Sequence, residues 1–282
     1  MIERKIGVIL SQINGTKLTI ECINSIKSSN YDNLEFYVGD NYSDNYEHLE
    51  LLKLFPEINL FTYQKRKTYC ETFNYLSKIA INDGCEFIFI INNDTRNFST
   101  NYFHKLLKEF EKETVGLVGS NCLTFDGEVR QDINSMKNKL GHSVIVPTEG
   151  YLVRAKAWTE IGGFDENLNI YTEDLSIHRK LLKYGWGIKS NYTVSFEHLA
   201  GATISKMIFH SNYFRVRNGI FTLKRLELPI LEKLKQAFYW CRLHIMNSLI
   251  ALKKGKFIMF FKIMIYSILG IISGLLMKNL DN

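Results

Sequence analysis

The sequence lacks any zinc-finger, helix-turn-helix or aromatic RNA-binding motif, so its basic residues do not point to a nucleic-acid partner. Its five cysteines (Cys22, Cys70, Cys85, Cys122, Cys241) are odd in number and scattered, without metal-ligand spacing. They read as ordinary thiols in a reducing cytosol. No internal repeat or low-complexity segment occurs. Nothing at the start resembles a signal peptide, because Glu3, Arg4 and Lys5 lead into only a short apolar run over residues 6–10. A Gly-rich phosphate loop is also missing: after that first run, residues 11–15 supply a single glycine.

What is present is a globular composition, 46% hydrophobic and 23% charged. At 282 residues the chain suits one large α/β domain, or one domain plus an appendage. The formal net charge of +6 hides an asymmetry. Residues 203–282 hold 13 Lys+Arg against 3 Asp+Glu, a net of +10, which leaves −4 for residues 1–202. The basic part is also the more apolar. That mixture favours an anionic membrane surface or a phosphate-bearing partner.

Short apolar runs alternate with helical periodicity along the first half of the chain. Residues 6–10, 34–38, 58–63, 87–91 and 115–118 read as strands. Between them Leu18, Cys22, Ile23 and Ile26, then residues 69–80, then Phe103, Leu106, Leu107 and Phe110 recur at helical spacing. Ser43 or Asp44, and Ser99 or Thr100, are the expected N-caps. This alternation predicts an α/β fold: a mostly parallel sheet with helices on both faces.

After Gly127 the regularity weakens, and the polar residues 128–147 are expected to form a mobile loop over the site. A strand over 151–153 and a helix over 156–161 follow. Thr172-Glu173-Asp174 then opens a helix expected to bury Leu175, Ile177, Leu181 and Leu182. A last strand over 194–196 delivers Glu197 and His198. From Leu231 to Leu252 apolar residues recur at alternating steps of three and four, which predicts one long amphipathic helix behind Pro229. Lys253, Lys254 and Lys256 then precede an apolar stretch, residues 257–277, with Lys262 inside it.

The chain is organised around FIFIINNDT, residues 87–95. Five apolar residues end abruptly in Asn92, Asn93 and Asp94, as in a strand buried on both faces whose carboxyl end is polar. Open α/β sheets bind ligands in the crevice beyond such strand ends. Asp94 is a hard oxygen ligand suited to Mg²⁺ or Mn²⁺. The plainer alternative is a polar turn after a core strand.

The order of motifs over roughly residues 5–225 resembles glycosyltransferase family 2. The resemblance is carried by IGVILSQINGTKLTIECINSI, FYVGDNYSD, FIFIINNDT, GLVGSNCLTFDG, EGYLVRAKAWTEIGGFDENLNIYTEDLSIHRKLLKYGWGI, SFEH and YFRVRNGIFTLKR. It implies the GT-A fold, a Rossmann-like α/β domain, and inverting transfer of a hexosyl or deoxyhexosyl group from a nucleotide-diphosphate sugar. The layout is also similar to bacterial rhamnosyltransferases and other enzymes that build surface polysaccharide.

The resemblance further implies roles. Asp40 matches the aspartate that meets the donor's pyrimidine base, although it could equally cap the turn at Asn41. Asn92-Asn93-Asp94 stands in the place of the family's D-x-D motif. Asp94 would bind the Mn²⁺ or Mg²⁺ that bridges the donor phosphates, and Asn92 or Asn93 the ribose or sugar. His198 matches a histidine that completes the metal site. Asp174 matches the catalytic base, with Glu173 positioning the acceptor. Arg66 and Lys67, beside Lys65, are candidates for diphosphate contact or else a solvated loop. Arg217, with Arg215, matches a basic element near the site. Thr68 stands where many relatives have glycine, and Ser176 replaces a second acid often found two residues after the base.

The expected organisation is a catalytic domain over 1–225 and a helical, basic, apolar extension over 226–282. Expected partners are a UDP- or dTDP-linked sugar and a glycan or polyprenyl-linked acceptor, at the inner face of the cell membrane. The stretch 257–277 could lie on that surface, span it, or pack on the catalytic domain or a second subunit of a homodimer. Two rival functions are a sugar nucleotidyltransferase, which would need the missing Gly-rich loop, and a catalytically degenerate binding scaffold.

Overall fold

The computed structural model describes residues 3–44, 46–129, 149–199, 208–225, 230–231, 246, 249, 252–253 and 256–277. Beyond its first two residues, the expected loop at 128–147 lies outside that set. So do Lys254 and most of the expected helix at 231–252. Packing divides the chain into two compact units, Met1–Glu166 with Ile177–Ala200, and Asn167–Ser176 with Gly201–Asn282.

The first unit contains one eight-stranded sheet. Its strands are β1 (Ile6–Gln12), β2 (Leu34–Asp40), β3 (Asn59–Thr62), β4 (Phe87–Ile91), β5 (Thr95–Arg96), β6 (Val115–Leu123), β7 (Gly150–Arg154) and β8 (Gly187–His198). Their spatial order is β3-β2-β1-β4-β7-β6-β8-β5. Strands β1 to β4 run parallel to their neighbours among themselves, and β6 runs parallel to β8. Strand β7 is antiparallel to both β4 and β6, and β5 is antiparallel to β8. The sheet is therefore mixed. An antiparallel neighbour needs no crossover helix, which is why the helical rhythm read from the sequence fades after β6.

Helices α1 (Thr16–Lys27), α2 (His48–Leu54), α3 (Tyr69–Asn82), α4 (Tyr102–Lys108) and α5 (Ala155–Glu160) complete the fold around it, and α6 (Glu173–Lys183) has residues up to Ser176 in the second unit and the rest in the first. Alternate strand residues divide between the two sheet faces. Ile6, Val8 and Leu10 of β1 and Phe87, Phe89 and Ile91 of β4 share one core with Cys22, Ile23 and Ile26 of α1 and Phe103 and Leu106 of α4. Ile9, Ile88 and Ile90 point the other way and are equally buried, with α3 lying against β1 and β4. Helix α3 starts on a capping box, in which the Thr68 hydroxyl and the Glu71 carboxylate each accept the other residue's backbone N–H. A glycine at position 68 could not do this. Gly150 is fixed by close approach, since a Cβ there would stand 2.6 Å from Ile91 Cδ1 and 2.9 Å from the Phe196 ring.

Three local expectations are corrected. Ser43 and Asp44 do not cap α2, which begins at His48; they bind the β1 loop instead. The Asn14 N–H donates to Ser43 Oγ, and the Asn14 and Asp44 groups exchange two hydrogen bonds of 2.7 and 2.8 Å. Neither Ser99 nor Thr100 caps α4. Asn101 stands at the N-cap position in a left-handed conformation without a side-chain capping bond, while the Ser99 hydroxyl and the backbone of Ser195 bond one another. On α6 Leu182 is 44% exposed, and His178 is buried among the inward residues instead.

In the second unit, α7 (Ile208–Arg225) packs along α8 (Phe257–Leu276). Ile263, Gly270 and Gly274 line the contact. A Cβ at Gly270 would stand 2.8 Å from the Tyr213 carbonyl, and one at Gly274 would strike the Arg217 carbonyl, so α8 touches α7 backbone to backbone. On the opposite side of α8, Ile258, Phe261, Ile265, Ile268, Ile272 and Leu275 are exposed at steps of three and four. With 20 residues and a mean hydropathy of 2.0, α8 is long and apolar enough to cross a membrane. This division groups α7 with α8.

His178 has a physical consequence for stability. Burial holds its pKa at about 4, below the ordinary 6.5. The unfolded chain then binds a proton below pH 6.5 that the folded chain refuses until about pH 4. Stability present above pH 6.5 is lost across that window, by roughly 3 kcal/mol at most. His178→Leu should flatten this part of a stability-against-pH curve measured by urea unfolding. An unchanged slope in that variant would contradict the assignment.

Candidate active site

The polar residues gather at one edge of the sheet because of strand direction. Gln12, Asp40 and Asn92 stand at or just beyond the carboxyl ends of the parallel neighbours β1, β2 and β4. Strand β7 runs the other way, so its first residue, Gly150, pairs with the last of β4, Ile91, and Glu149 lies at the same edge. Cys122, near the end of β6, pairs with Phe196 of β8, two residues before His198.

The closest pair is made by strand pairing. After β4 the chain turns through Asn93 and Asp94 into β5, where Thr95 pairs with His198 and Arg96 with Glu197. The Leu199 N–H closes the ladder by donating to the Asp94 carbonyl at 2.9 Å. Arg96 secures the junction, with Nε 3.0 Å from Glu197, Nη1 3.1 Å from Glu21 and its guanidinium 3.7 Å above the Phe125 ring. Asp94 Oδ1 then meets His198 Nε2 at 2.9 Å, both side chains being about nine-tenths buried. The Cys22 Sγ lies 3.3 Å from the Thr95 hydroxyl, and burial pushes that thiol up to about 12, so it remains protonated filler behind the turn.

These residues fit the metal that the sequence implies. A carboxylate oxygen and an imidazole nitrogen, hydrogen-bonded at 2.9 Å, are the ligand types such an ion takes. Oxygen and imidazole ligands suit Mn²⁺. On the other side of the ring, His198 Nδ1 is 3.8 Å from Glu149 Oε1. Among the described residues, Cys122, Glu149 and His198 form one group whose ligand atoms lie within 4.8 Å of one another. That set includes a soft thiol, so the Asp94 side of the ring is the better match for a hard ion.

The polar groups at the ends of β1, β2 and β4 form a network. Asp40 is buried; its Oδ2 accepts from Gln12 Nε2 at 2.7 Å and its Oδ1 from the Ser43 N–H at 2.9 Å. It thus caps its turn, at Ser43. Gln12 Oε1 accepts from the Thr19 hydroxyl at 2.9 Å, and that oxygen in turn accepts from Asn93 Nδ2 at 2.9 Å. Asn92 Oδ1 lies 3.4 Å from the Tyr69 hydroxyl. The basic loop is tied to β2 through Asn41, whose side-chain amide exchanges bonds of 2.7 and 2.8 Å with the backbone of Lys67. Lys65 and Arg66 stay exposed beside it. Gln12, Thr19, Asn41 and Glu149 were not singled out from the sequence. Gln12 carried the available signal, a polar residue ending an apolar strand.

The remaining predicted residues belong to the second unit. Glu173 and Asp174 form the half-buried first turn of α6. Arg217 directs Nη2 at the carbonyls of Asn167 and Leu168, at 2.7 and 2.9 Å, and Nε at Asn218 Oδ1. Arg215 is exposed, with its guanidinium 4.7 Å from the Tyr171 ring centre.

Residues 87–198 match the family model described as Glycosyl transferase family group 2. No curated protein matches the chain. Among solved structures, it is similar to the mannosyltransferase PcManGT from Pyrobaculum calidifontis in complex with GDP-Man and Mn²⁺, with 16% identity, a TM-score of 0.62, and coverage of 99% of this chain and 89% of that one. It is also similar to S. aureus TarS 1-349 in complex with UDP-GlcNAc, with 16% identity, a TM-score of 0.63, and coverage of 86% and 72%. A longer S. aureus TarS structure is covered over 43% of its length. The architecture is the GT-A fold, as expected, with a C-terminal helix.

Proposed function

We propose that the chain moves a sugar from a nucleotide-diphosphate donor to an acceptor hydroxyl, with inversion, a reading supported by the match of residues 87–198 to the model described as Glycosyl transferase family group 2. The single observation that carries this reading is the buried Asp94–His198 contact at the polar end of the central strand. In this reading Asp94 and His198 hold Mn²⁺ or Mg²⁺. The ion, when bound, neutralises charge developing on the departing diphosphate. Asp40 accepts a hydrogen bond from the donor base through its remaining lone pairs. Asn92 or Asn93 engages the ribose or sugar, and Arg66 and Lys67 face the diphosphate. The guanidinium of Arg217, expected near the donor, donates to the carbonyls of Asn167 and Leu168.

Asp174 takes the acceptor proton as the new bond forms, and Glu173 orients the acceptor. The acceptor is a glycan or a polyprenyl-linked sugar of a bacterial surface polysaccharide. The chain works at the inner face of the cell membrane, attached through the apolar side of α8. Support comes from the six outward aliphatic and aromatic residues and from the net +10 of residues 203–282.

Two experiments test this reading. Asp174→Asn keeps the side chain's shape and removes the proton acceptor, so turnover should fall about 100-fold or more while donor affinity persists. Near-normal turnover would pass the role to another group, with Glu173 the first to examine. In flotation at low salt, the full chain should rise with phosphatidylglycerol vesicles and stay behind with phosphatidylcholine. Failure to rise with either would exclude lipid attachment.

A further inference from the structure

We propose that Arg217 and Asn218 are positioning residues for the base: they hold residues 167–172 in the left-handed turn that presents Asp174. This rests on the reading of Asp174 as the base. The turn is strained before α6 begins. Asn169, Tyr171 and Thr172 have φ of 63°, 68° and 64°. Asparagine tolerates that region, but a tyrosine followed by a β-branched threonine does not. Such a backbone persists only where its surroundings over-determine it. Among the described residues, the Thr172 hydroxyl is buried without a hydrogen-bond partner, so that side chain does not hold the turn.

The restraint comes from α7. Asn218 is fully buried and directs Nδ2 at the carbonyls of Leu168, Ile170 and Tyr171, at 2.7, 2.7 and 2.8 Å. Arg217 Nη2 donates to Asn167 and Leu168, so four of the five carbonyls from 167 to 171 accept from these two side chains. Arg217 Nε donates to Asn218 Oδ1 at 2.8 Å, which fixes the amide with its donors toward the turn. The next carbonyl, that of Thr172, accepts the Ser176 N–H at 3.0 Å and starts the helical ladder. The clamp therefore stops where the helix starts, two residues before Asp174.

The clamp is itself backed. Gly270 and Gly274 of α8 press on the α7 backbone from Tyr213 to Arg217, with the Arg217 N–H 3.2 Å and its carbonyl closer still from where Cβ atoms would be. Only donor groups can serve several converging carbonyls. An aspartate at 218 would face them with like charge, and a lysine at 217 would lose the fork that serves two carbonyls and the amide together.

The test compares Asn218→Ala, Arg217→Lys and Asp174→Asn, alone and combined. Turnover is read as release of nucleoside diphosphate from whichever of UDP-, dTDP- and GDP-sugars the wild type consumes fastest, and donor affinity by calorimetry. Asn218→Ala should lower kcat about 30-fold or more and leave the donor dissociation constant within twofold. Added to Asp174→Asn it should cost nothing further, because the clamp acts through that carboxylate. Hydrogen exchange of residues 170–174 should rise at least tenfold in Asn218→Ala. If that variant does not fold, Arg217→Lys carries the same readouts with a loss of several-fold or more in kcat.

A kcat within threefold of wild type in the folded variants, or a further tenfold loss on top of Asp174→Asn, would overturn the inference. Its failure differs from failure of the base assignment: Asp174→Asn is slow in the first case and near wild type in the second.

Discussion

Two residues of antiparallel pairing carry the candidate site. Thr95 and Arg96 join β8 at Glu197 and His198, and this alone places Asp94 against His198 across about a hundred residues of chain. The pairing is short, so other contacts keep it in register. Arg96 bridges two carboxylates and covers an aromatic ring. The Thr95 hydroxyl donates to the Asn92 carbonyl at 2.8 Å, closing the turn that Asp94 occupies. A one-residue slip in a strand turns each side chain to the opposite face, so the Asp94–His198 contact exists in one register only.

The same edge explains why polar groups tolerate burial there. Asp40, Gln12, Thr19 and Asn93 satisfy one another in series, so the crevice is preorganised. The second unit solves a different problem. There a strained turn is held by an amide and a guanidinium, and the helix bearing both is braced by a glycine contact with α8. The apolar tail that first reads as an anchor is thus also a structural support for α7.

Much of the sheet was legible because buried strands announce themselves. Phe87–Ile91 is a run of five apolar residues closed by three polar ones, and the structure has β4 over those five. What periodicity could not show was long-range. Nothing local tells that two residues after Asp94 pair with two at 197–198, and only the motif order of a known family joined them. Side chains that cap helices also make tertiary bridges with the same atoms, which is why Ser43 and Asp44 were misplaced. On α6 the apolar pattern fits either of two adjacent stripes. Burying His178 rather than Leu182 is a choice of packing, invisible to hydropathy. Asn218 gave no signal at all, since its role lies in carbonyls some fifty residues earlier.

We propose that Asp94 and His198 hold the metal ion on which donor binding depends. Calorimetric titration of UDP-, dTDP- and GDP-sugars into the full chain, with Mn²⁺ and with chelator, tests it most directly. At least one donor should bind at least tenfold more tightly with Mn²⁺. Asp94→Ala and His198→Ala, still cooperatively folded, should lose that difference. Binding equal with and without the metal, or a metal effect that survives in Asp94→Ala, would contradict it.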